Sequence, residues 1–182
     1  MIDFNRGIIL ASPTLSDKDQ FFHWRNDQNI WKWCRQNGPL SKSVHNQYWY
    51  NVENSKTDKF FSILGRRGTL GAEKDSPRLV GCCGLSSVDQ ANGRAEFSLY
   101  IGPEFQNQTF GVRALQSLFD YGFKWQNLNL IWGESFDGNP AMRMFFKLGM
   151  VKEGVRRQFY FRNGRYIDAH LFSIKREEWK SP

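Results

Sequence analysis

The sequence lacks a continuous apolar run of about 18 residues, so we predict no helix that crosses a membrane. It also lacks the apolar core of a signal peptide near its first residues, where the acidic Asp3 stands instead. We therefore expect a cytoplasmic protein. Internal repeats and low-complexity tracts are absent too. Because 182 residues suffice for one hydrophobic core, a single domain is predicted over residues 1–182.

Cysteine and histidine are scarce, with three residues of each. Cys82 and Cys83 are adjacent in a strand-like run, so their side chains point to opposite faces and cannot share a metal ion. The histidines show no spacing typical of metal ligands. We therefore expect reduced thiols, no disulfide framework and no metal site.

A block of positive charge is also missing, although the net charge is +7. The excess is spread over both halves of the chain, which favours solubility or attraction to an anionic cofactor. One local concentration of arginines, typical of the solvated rim of a hairpin, consists of Arg156, Arg157, Arg162 and Arg165. A nucleic-acid partner is therefore the less favoured interpretation.

A junction of strand, turn and helix lies around residues 95–123. Alternating apolar residues predict a strand up to Ile101, and apolar residues at helical spacing follow from Val112. The backbone N–H groups at the start of a helix have no partners within the helix, and its dipole favours anions there. We predict that the junction binds a pyrophosphate through residues Gln106, Asn107, Gln108, Thr109, Phe110, Gly111 and Val112. By itself the pattern fits an ordinary strand, turn and helix equally well.

The remaining segments predict an α/β fold. Ser41 or Ser43 is expected to cap an early helix, and Asn163-Gly164 is a strong hairpin signal because both residues accept a positive φ. Strands that come first in antiparallel pairs and then on either side of a crossover helix predict a mixed, mostly antiparallel sheet flanked by helices. The stretch 65–78, rich in glycine and charge, is predicted to be a mobile loop.

The order of these segments resembles the GNAT superfamily of acyl-CoA-dependent N-acetyltransferases and, within it, the RimJ/RimL branch of ribosomal-protein acetyltransferases. At the junction, Gln106 and Gly111 match the anchors of the family's phosphate-binding motif, whereas Thr109 replaces its first glycine. Further similarity lies at residues 24–27 (WRND), 79–85 (LVGCCGL), 95–97 (AEF), 139–141 (NPA), 147–154 (KLGMVKEG) and 163–168 (NGRYID). The resemblance implies a GNAT fold and transfer of an acetyl group from acetyl-CoA to a primary amine.

Amine attack on a thioester needs a base, because an alkyl amine has a pKa of about 10 and is mostly protonated at neutral pH. The resemblance implies Glu96 for this role; a salt bridge with Arg94 or a neighbouring strand is the structural alternative. The tetrahedral oxyanion needs a donor, which the resemblance places in the backbone of Leu99, Tyr100 and Ile101.

The departing thiolate would benefit from an acid, but the positions where many GNAT enzymes carry a tyrosine are Phe145 and Phe146. Ser135 or a water molecule is expected to replace it. Phe145 itself is placed beside the cofactor. Asn139 matches an asparagine near the arm of CoA, and an N-cap for the helix that begins at Pro140 explains it equally well.

For the acceptor side, we predict a wall formed by Trp31 and Trp33, with Tyr160 opposite. The resemblance leaves two acceptors open, a protein N-terminus and an amino-sugar nucleotide. Polyamines would require an acidic pocket, and the acidic residues do not cluster in the sequence. A non-catalytic CoA-binding sensor or a nucleic-acid-directed GNAT derivative is the alternative from another class. A monomer or homodimer is expected.

Overall fold

The computed structural model describes residues 1–3, 6–66 and 76–182. In these ranges one eight-stranded sheet has the order β1-β2-β3-β4-β5-β6-β8-β7. Its strands are β1 (Ile2–Asp3), β2 (Ile8–Ala11), β3 (Lys59–Gly65), β4 (Arg78–Asp89), β5 (Arg94–Ile101), β6 (Leu130–Phe136), β7 (Val151–Arg162) and β8 (Arg165–Lys175). The helices are α1 (Leu15–Asn26), α2 (Gln28–Trp31), α3 (Lys42–Asn54), α4 (Phe110–Lys124) and α5 (Met142–Lys147).

All pairings within this sheet are antiparallel except that of β5 with β6, which are joined by α4. The predicted mixed, mostly antiparallel sheet is therefore confirmed. Of the mobile loop predicted over residues 65–78, residues 67–75 lie outside the described part of the chain. No helix in the described ranges is both long and apolar enough to span a membrane.

Capping side chains start the helices on one face of the sheet. Thr14 and Asp17 form a capping box at α1: the Thr14 hydroxyl accepts from the Asp17 N–H at 3.1 Å, and the Asp17 carboxylate accepts from the Thr14 N–H at 2.8 Å. Ser41 caps α3 by accepting from the N–H of Val44 at 3.3 Å. These contacts set where α1 and α3 begin.

Each face of the sheet has its own core. On the α4–α5 face, Leu115, Leu118 and Phe119 are completely buried in a cluster that extends to Phe145 and Phe172. On the α1–α3 face, a smaller cluster contains Phe21, Trp24, Ile30, Trp49 and Cys82. Burial of one such large apolar side chain contributes about 1.5–3 kcal/mol, so both layers are held firmly on the sheet.

The two central strands separate halfway along their length. β5 pairs with β6 at Arg94, Ala95 and Glu96, and not beyond. β5 nevertheless continues to Ile101, paired with β4, and β6 continues to Phe136, paired with β8. The facing backbone edges of β5 and β6 are therefore without a strand partner after Glu96, and the sheet is open between them.

Gly102 ends β5 against the ring of Trp24. A β-carbon on Gly102 would lie 2.5 Å from two carbon atoms of that buried ring. This close contact ties α1 to the junction that leads from β5 to α4.

We expect Gly102→Ala to lower the free energy of unfolding by about 1–3 kcal/mol, the usual cost of overpacking a core, because the Trp24 indole cannot move aside cheaply. Urea unfolding monitored by tryptophan fluorescence measures this. Gly154→Ala is the matched control, since a β-carbon there meets nothing within 4 Å. Equal stability of the two variants would contradict the tight contact.

Candidate active site

A cleft of about 470 Å³ occupies the opening between β5 and β6. Its lining includes Leu99, Met144 and Phe145 from the α4–α5 face and Trp49 and Tyr100 from the α1–α3 face. The cleft therefore crosses the sheet from one face to the other. Two reactants that enter from opposite faces can meet in it.

Glu96, the predicted base, lies where the strands part and is 8% exposed. Its carboxylate accepts hydrogen bonds from Arg35, at 3.2 Å from Nη1 and more closely from Nη2. The ion pair foreseen as the alternative thus exists, but its partner is Arg35 from the connection between α2 and α3. Arg94 pairs instead with Asp89.

Glu134 is a second carboxylate in the cleft, and its side chain is only 4% exposed. Arg35 Nε donates to it at 2.7 Å, Arg156 Nη1 donates at 3.3 Å, and the Tyr160 hydroxyl also donates to it. Because Glu96 pairs in register with Trp132, Glu134 lies two residues further along the same face. Arg35 therefore bridges carboxylates from both separated strands.

These contacts change the acidity of the donors. Partial burial alone would lower the pKa of Arg35, but hydrogen bonds to Glu96 and Glu134 outweigh it and raise that pKa above its usual value. Burial, together with the hydrogen bond to Glu134, raises the pKa of Tyr160. Both side chains hold their protons at neutral pH and act as donors to the carboxylates.

Ser135 points to the other face of the sheet from Glu134 and lines the cleft. It is 3% exposed, and among the described residues its hydroxyl has no hydrogen-bond partner. His170 is its cross-strand neighbour on β8, and the Nδ1 atom of that ring is also buried without a described partner. An unpaired buried hydroxyl next to the cleft is available to a ligand.

Phe145 and Asn139 both line the cleft, but neither supplies an acid. Phe145 is 5% exposed and packs edge-on against Phe97 and Phe172. The Asn139 side chain accepts a hydrogen bond from the N–H of Ala141 at 3.0 Å, so it orders the turn before α5. The helix predicted to begin at Pro140 begins at Met142, and Ala141, not Asn139, is its N-cap, without a side-chain capping hydrogen bond.

The predicted phosphate-binding turn lies at the N-terminal end of α4 and does not line the cleft itself. The side chains of Gln106 and Gln108 donate back to carbonyl groups of the same loop, those of Ile101 and Glu104. Phe110 is buried in the core. A β-carbon on Gly111 would lie 3.4 Å from Met144 and 3.6 Å from Leu99, so Gly111 lies next to two residues of the cleft wall.

Thr109 precedes α4 in the left-handed conformation, with a φ of 66°, and Asn107 has a φ of 60°. A β-branched residue at positive φ is strained, and such strain concentrates at functional sites. The Thr109 side chain makes no capping hydrogen bond. Within the described ranges, no oxygen accepts from the backbone N–H groups of residues 108–112. These groups form a concave set of free donors suited to an anion.

The structure brings only part of the predicted acceptor wall to the cleft. Trp33 lines the cleft, whereas Trp31 ends the short helix α2 and does not. Tyr160 packs on Phe136 with ring centroids 4.7 Å apart and reaches the cleft through Glu134. Trp24 and Trp49 belong to the core.

Burial makes the thiols chemically inert. It raises the pKa of Cys82 to about 12 and that of Cys83 well above its usual value. Because only the thiolate is a nucleophile, neither residue is reactive at neutral pH. In the described ranges, no group of three or more His, Cys, Asp or Glu side chains could hold a metal ion.

Sequence reasoning missed Arg35 and Glu134. The alternation of β6 places Glu134 on the same face as Trp132. A prediction that Trp132 pairs with Glu96 would therefore have placed Glu134 near Glu96. No local pattern marks Arg35, because it lies in a connection and meets both carboxylates only through the tertiary fold.

An open mixed sheet, a cleft through it, and free N–H donors at a helix start beside that cleft define an acyl-CoA-dependent acyltransferase. The family model described as "Acetyltransferase (GNAT) domain" matches residues 8–151. The chain belongs to the GNAT acetyltransferase family, and it is an acetyl-CoA-dependent N-acetyltransferase.

Similar proteins include an uncharacterized N-acetyltransferase, p20, of Bacillus licheniformis, 36% identical over 107 residues. That match covers 58% of this chain and only 60% of the relative. A spermidine N(1)-acetyltransferase of Vibrio cholerae is 27% identical over 139 residues, which is 72% of this chain and 80% of that protein.

Among solved structures, the spermidine N-acetyltransferase of Vibrio cholerae in complex with CoA and spermine has a TM-score of 0.84 at 22% identity. The match covers 94% of this chain and 97% of that one, which confirms the GNAT fold. These similarities do not single out the RimJ/RimL branch expected from the sequence.

Replacing Thr109 tests whether its free hydroxyl contacts phosphate. Thr109→Val should weaken CoA binding several-fold relative to Thr109→Ser, because the lost hydrogen bond contributes about 0.5–1.5 kcal/mol. Isothermal titration with CoA measures both affinities. Thr109→Gly should in addition stabilise the protein by about 1 kcal/mol by relieving the strained φ. Equal affinity of the Val and Ser variants would leave Thr109 only a steric role.

Proposed function

We propose that the acceptor is a primary amine that reaches Glu96 from the α1–α3 face, while acetyl-CoA lies on the α4–α5 face. The observation that carries this proposal is the position of Glu96. Its carboxylate lies in the cleft at the point where β5 and β6 part, which is where reactants from the two faces of the sheet would meet.

The cofactor contacts follow from the groups that lack partners. The backbone N–H groups of residues 108–112 hold the pyrophosphate, and Gly111 leaves room beside Met144. The rest of the cofactor lies along the β6-facing edge of β5. The backbone of residues 99–101 supplies the oxyanion donor there. Asn139 and Phe145 shape the wall on the other side.

The chemistry removes one proton from the amine nitrogen and supplies another to the thiolate sulfur, through two separate side chains, and Glu96 afterwards releases its proton to solvent. The amine nitrogen bonds to the acyl carbon, and Glu96 takes the proton that this nitrogen loses. As the carbon–sulfur bond breaks, Ser135 gives its hydroxyl proton to the departing thiolate and regains one from solvent. Phe145 cannot do this, and Tyr160 is committed to Glu134.

The acceptor is proposed to be a protein N-terminus or an amino-sugar nucleotide, as in the RimJ/RimL branch. Spermidine, the acceptor named for the Vibrio cholerae relative, is the third candidate. Thiol release from acetyl-CoA against a panel of these amines distinguishes the three candidates, and no release with any of them would contradict all three.

Removing the charge of Glu96 tests its role as base. Glu96→Gln should lower kcat by about 10²–10⁴-fold, the usual contribution of general acid–base catalysis, with an unchanged Kd for acetyl-CoA. The loss should shrink as pH rises and the amine deprotonates by itself. Asp89→Asn is the control, because it breaks an exposed ion pair outside the cleft. A loss of the same size at every pH would argue against proton transfer.

Ser135→Val and Ser135→Thr are a pair of variants with the same side-chain shape, of which only the second carries a hydroxyl. Ser135→Val should lower kcat by about 10²-fold with little change in the KM for acetyl-CoA, whereas Ser135→Thr should retain most of the activity, because only threonine keeps the proton donor. Steady-state thiol release measures both variants. If the two are equally active, solvent protonates the thiolate and Ser135 has no catalytic role.

A further inference from the structure

Arg35 occupies the entrance to the two buried carboxylates of the cleft. Its side chain is 51% exposed, whereas those of Glu96 and Glu134 are 10% and 4% exposed. While both oxygens of Glu96 accept from this guanidinium, the carboxylate is not free to take a proton from an amine. Catalysis therefore requires that Arg35 find another partner.

The backbone around Arg35 is held on both sides. Arg162 donates from Nη2 to the carbonyl oxygens of Cys34 and Arg35, at 3.2 and 2.9 Å. Gln36 donates to the carbonyl of Arg25 at 2.7 Å and accepts from Arg25 Nε at 2.8 Å. The backbone at Arg35 is thus fixed, and an exchange of partners would move only its half-exposed side chain.

Both carboxylates at this end of the cleft are already paired with guanidinium groups. Glu96 pairs with Arg35, and Glu134 pairs with Arg35 and Arg156. A polycation would meet carboxylates that are already paired. An anionic group would meet a forked donor whose geometry matches carboxylate and phosphate.

We propose that Arg35 is a specificity-determining residue that leaves Glu96 to bind an anionic group, carboxylate or phosphate, carried by the acceptor amine. This inference rests on the proposed function and names the acceptor class within it. The exchange replaces one ion pair of Arg35 by another and frees Glu96 as a base. A neutral or cationic amine offers no replacement, so it must break a partly buried ion pair to reach Glu96.

Four primary amines of similar size test the proposal: 4-aminobutanoate, 3-aminopropyl phosphate, butylamine and 1,4-diaminobutane. The wild-type kcat/KM should be at least tenfold higher for the two anionic amines than for the others. The ratio between the carboxylate and the phosphate shows which anion the site prefers. A wild-type preference for 1,4-diaminobutane would overturn the proposal.

The Arg35→Gln variant should reverse this order. Activity with the anionic amines should fall at least tenfold, and activity with 1,4-diaminobutane should rise, because both carboxylates become available to a second ammonium group. Arg35→Lys should keep part of the preference, since it retains the charge and loses the fork. Arg94→Gln is the control outside the cleft and should change neither value. A uniform loss with all four amines in Arg35→Gln would mark Arg35 as structural and contradict the proposal.

A binding measurement separates this inference from the proposed function. If no amine releases thiol from acetyl-CoA, the proposed function fails. Calorimetric titration of the CoA-loaded wild-type protein with 4-aminobutanoate and with 1,4-diaminobutane still compares the two ligands. Tighter binding of 4-aminobutanoate, lost in Arg35→Gln, supports the role of Arg35, and equal or reversed affinities refute it.

Discussion

The separation of β5 from β6 after Glu96 is the constraint on which the rest of the site depends. A continuous sheet would satisfy the facing backbone groups and leave no passage between its two faces. Because the strands part, the chain leaves an unpaired edge for a ligand and a cleft that crosses the sheet. Each of the two strands remains paired on its outer side, β5 with β4 and β6 with β8. Together with the aromatic cores packed on both faces, these pairings hold the strands apart.

Electrostatics then distinguishes the two ends of this passage. Toward the α4–α5 face, the walls are apolar, and the polar groups that lack a partner among the described residues include the Ser135 hydroxyl and the N–H donors at the start of α4. Toward the α1–α3 face, two carboxylates are held by arginines from the α2–α3 connection and from β7. The first environment suits a phosphate-bearing thioester. The second suits an amine, provided that something replaces Arg35 on Glu96.

The resemblance of the motifs to GNAT sequences predicted the fold and cofactor class, because those properties depend on local patterns. Alternation marked β5, helical spacing marked α4, and Asn163-Gly164, with φ values of 49° and 76°, marked the last hairpin. Glu96 and Ser135 were placed in the cleft for the same reason. Trp31 was misplaced because its segment was read as an open connection, whereas the N-cap of Asp27 turns residues 28–31 into a short helix.

By itself the sequence determined the order of elements, a turn before α4 with Thr109 in the place of a glycine, and the absence of a tyrosine at the positions of Phe145 and Phe146. Only the tertiary structure decided the partner of Glu96. Arg35 is 61 residues away from Glu96 and 99 from Glu134, and it meets both because the α2–α3 connection crosses the mouth of the opened sheet. Long-range ion pairs of this kind leave no periodic signal, since they depend on where separate elements end in space and not on spacing along the chain.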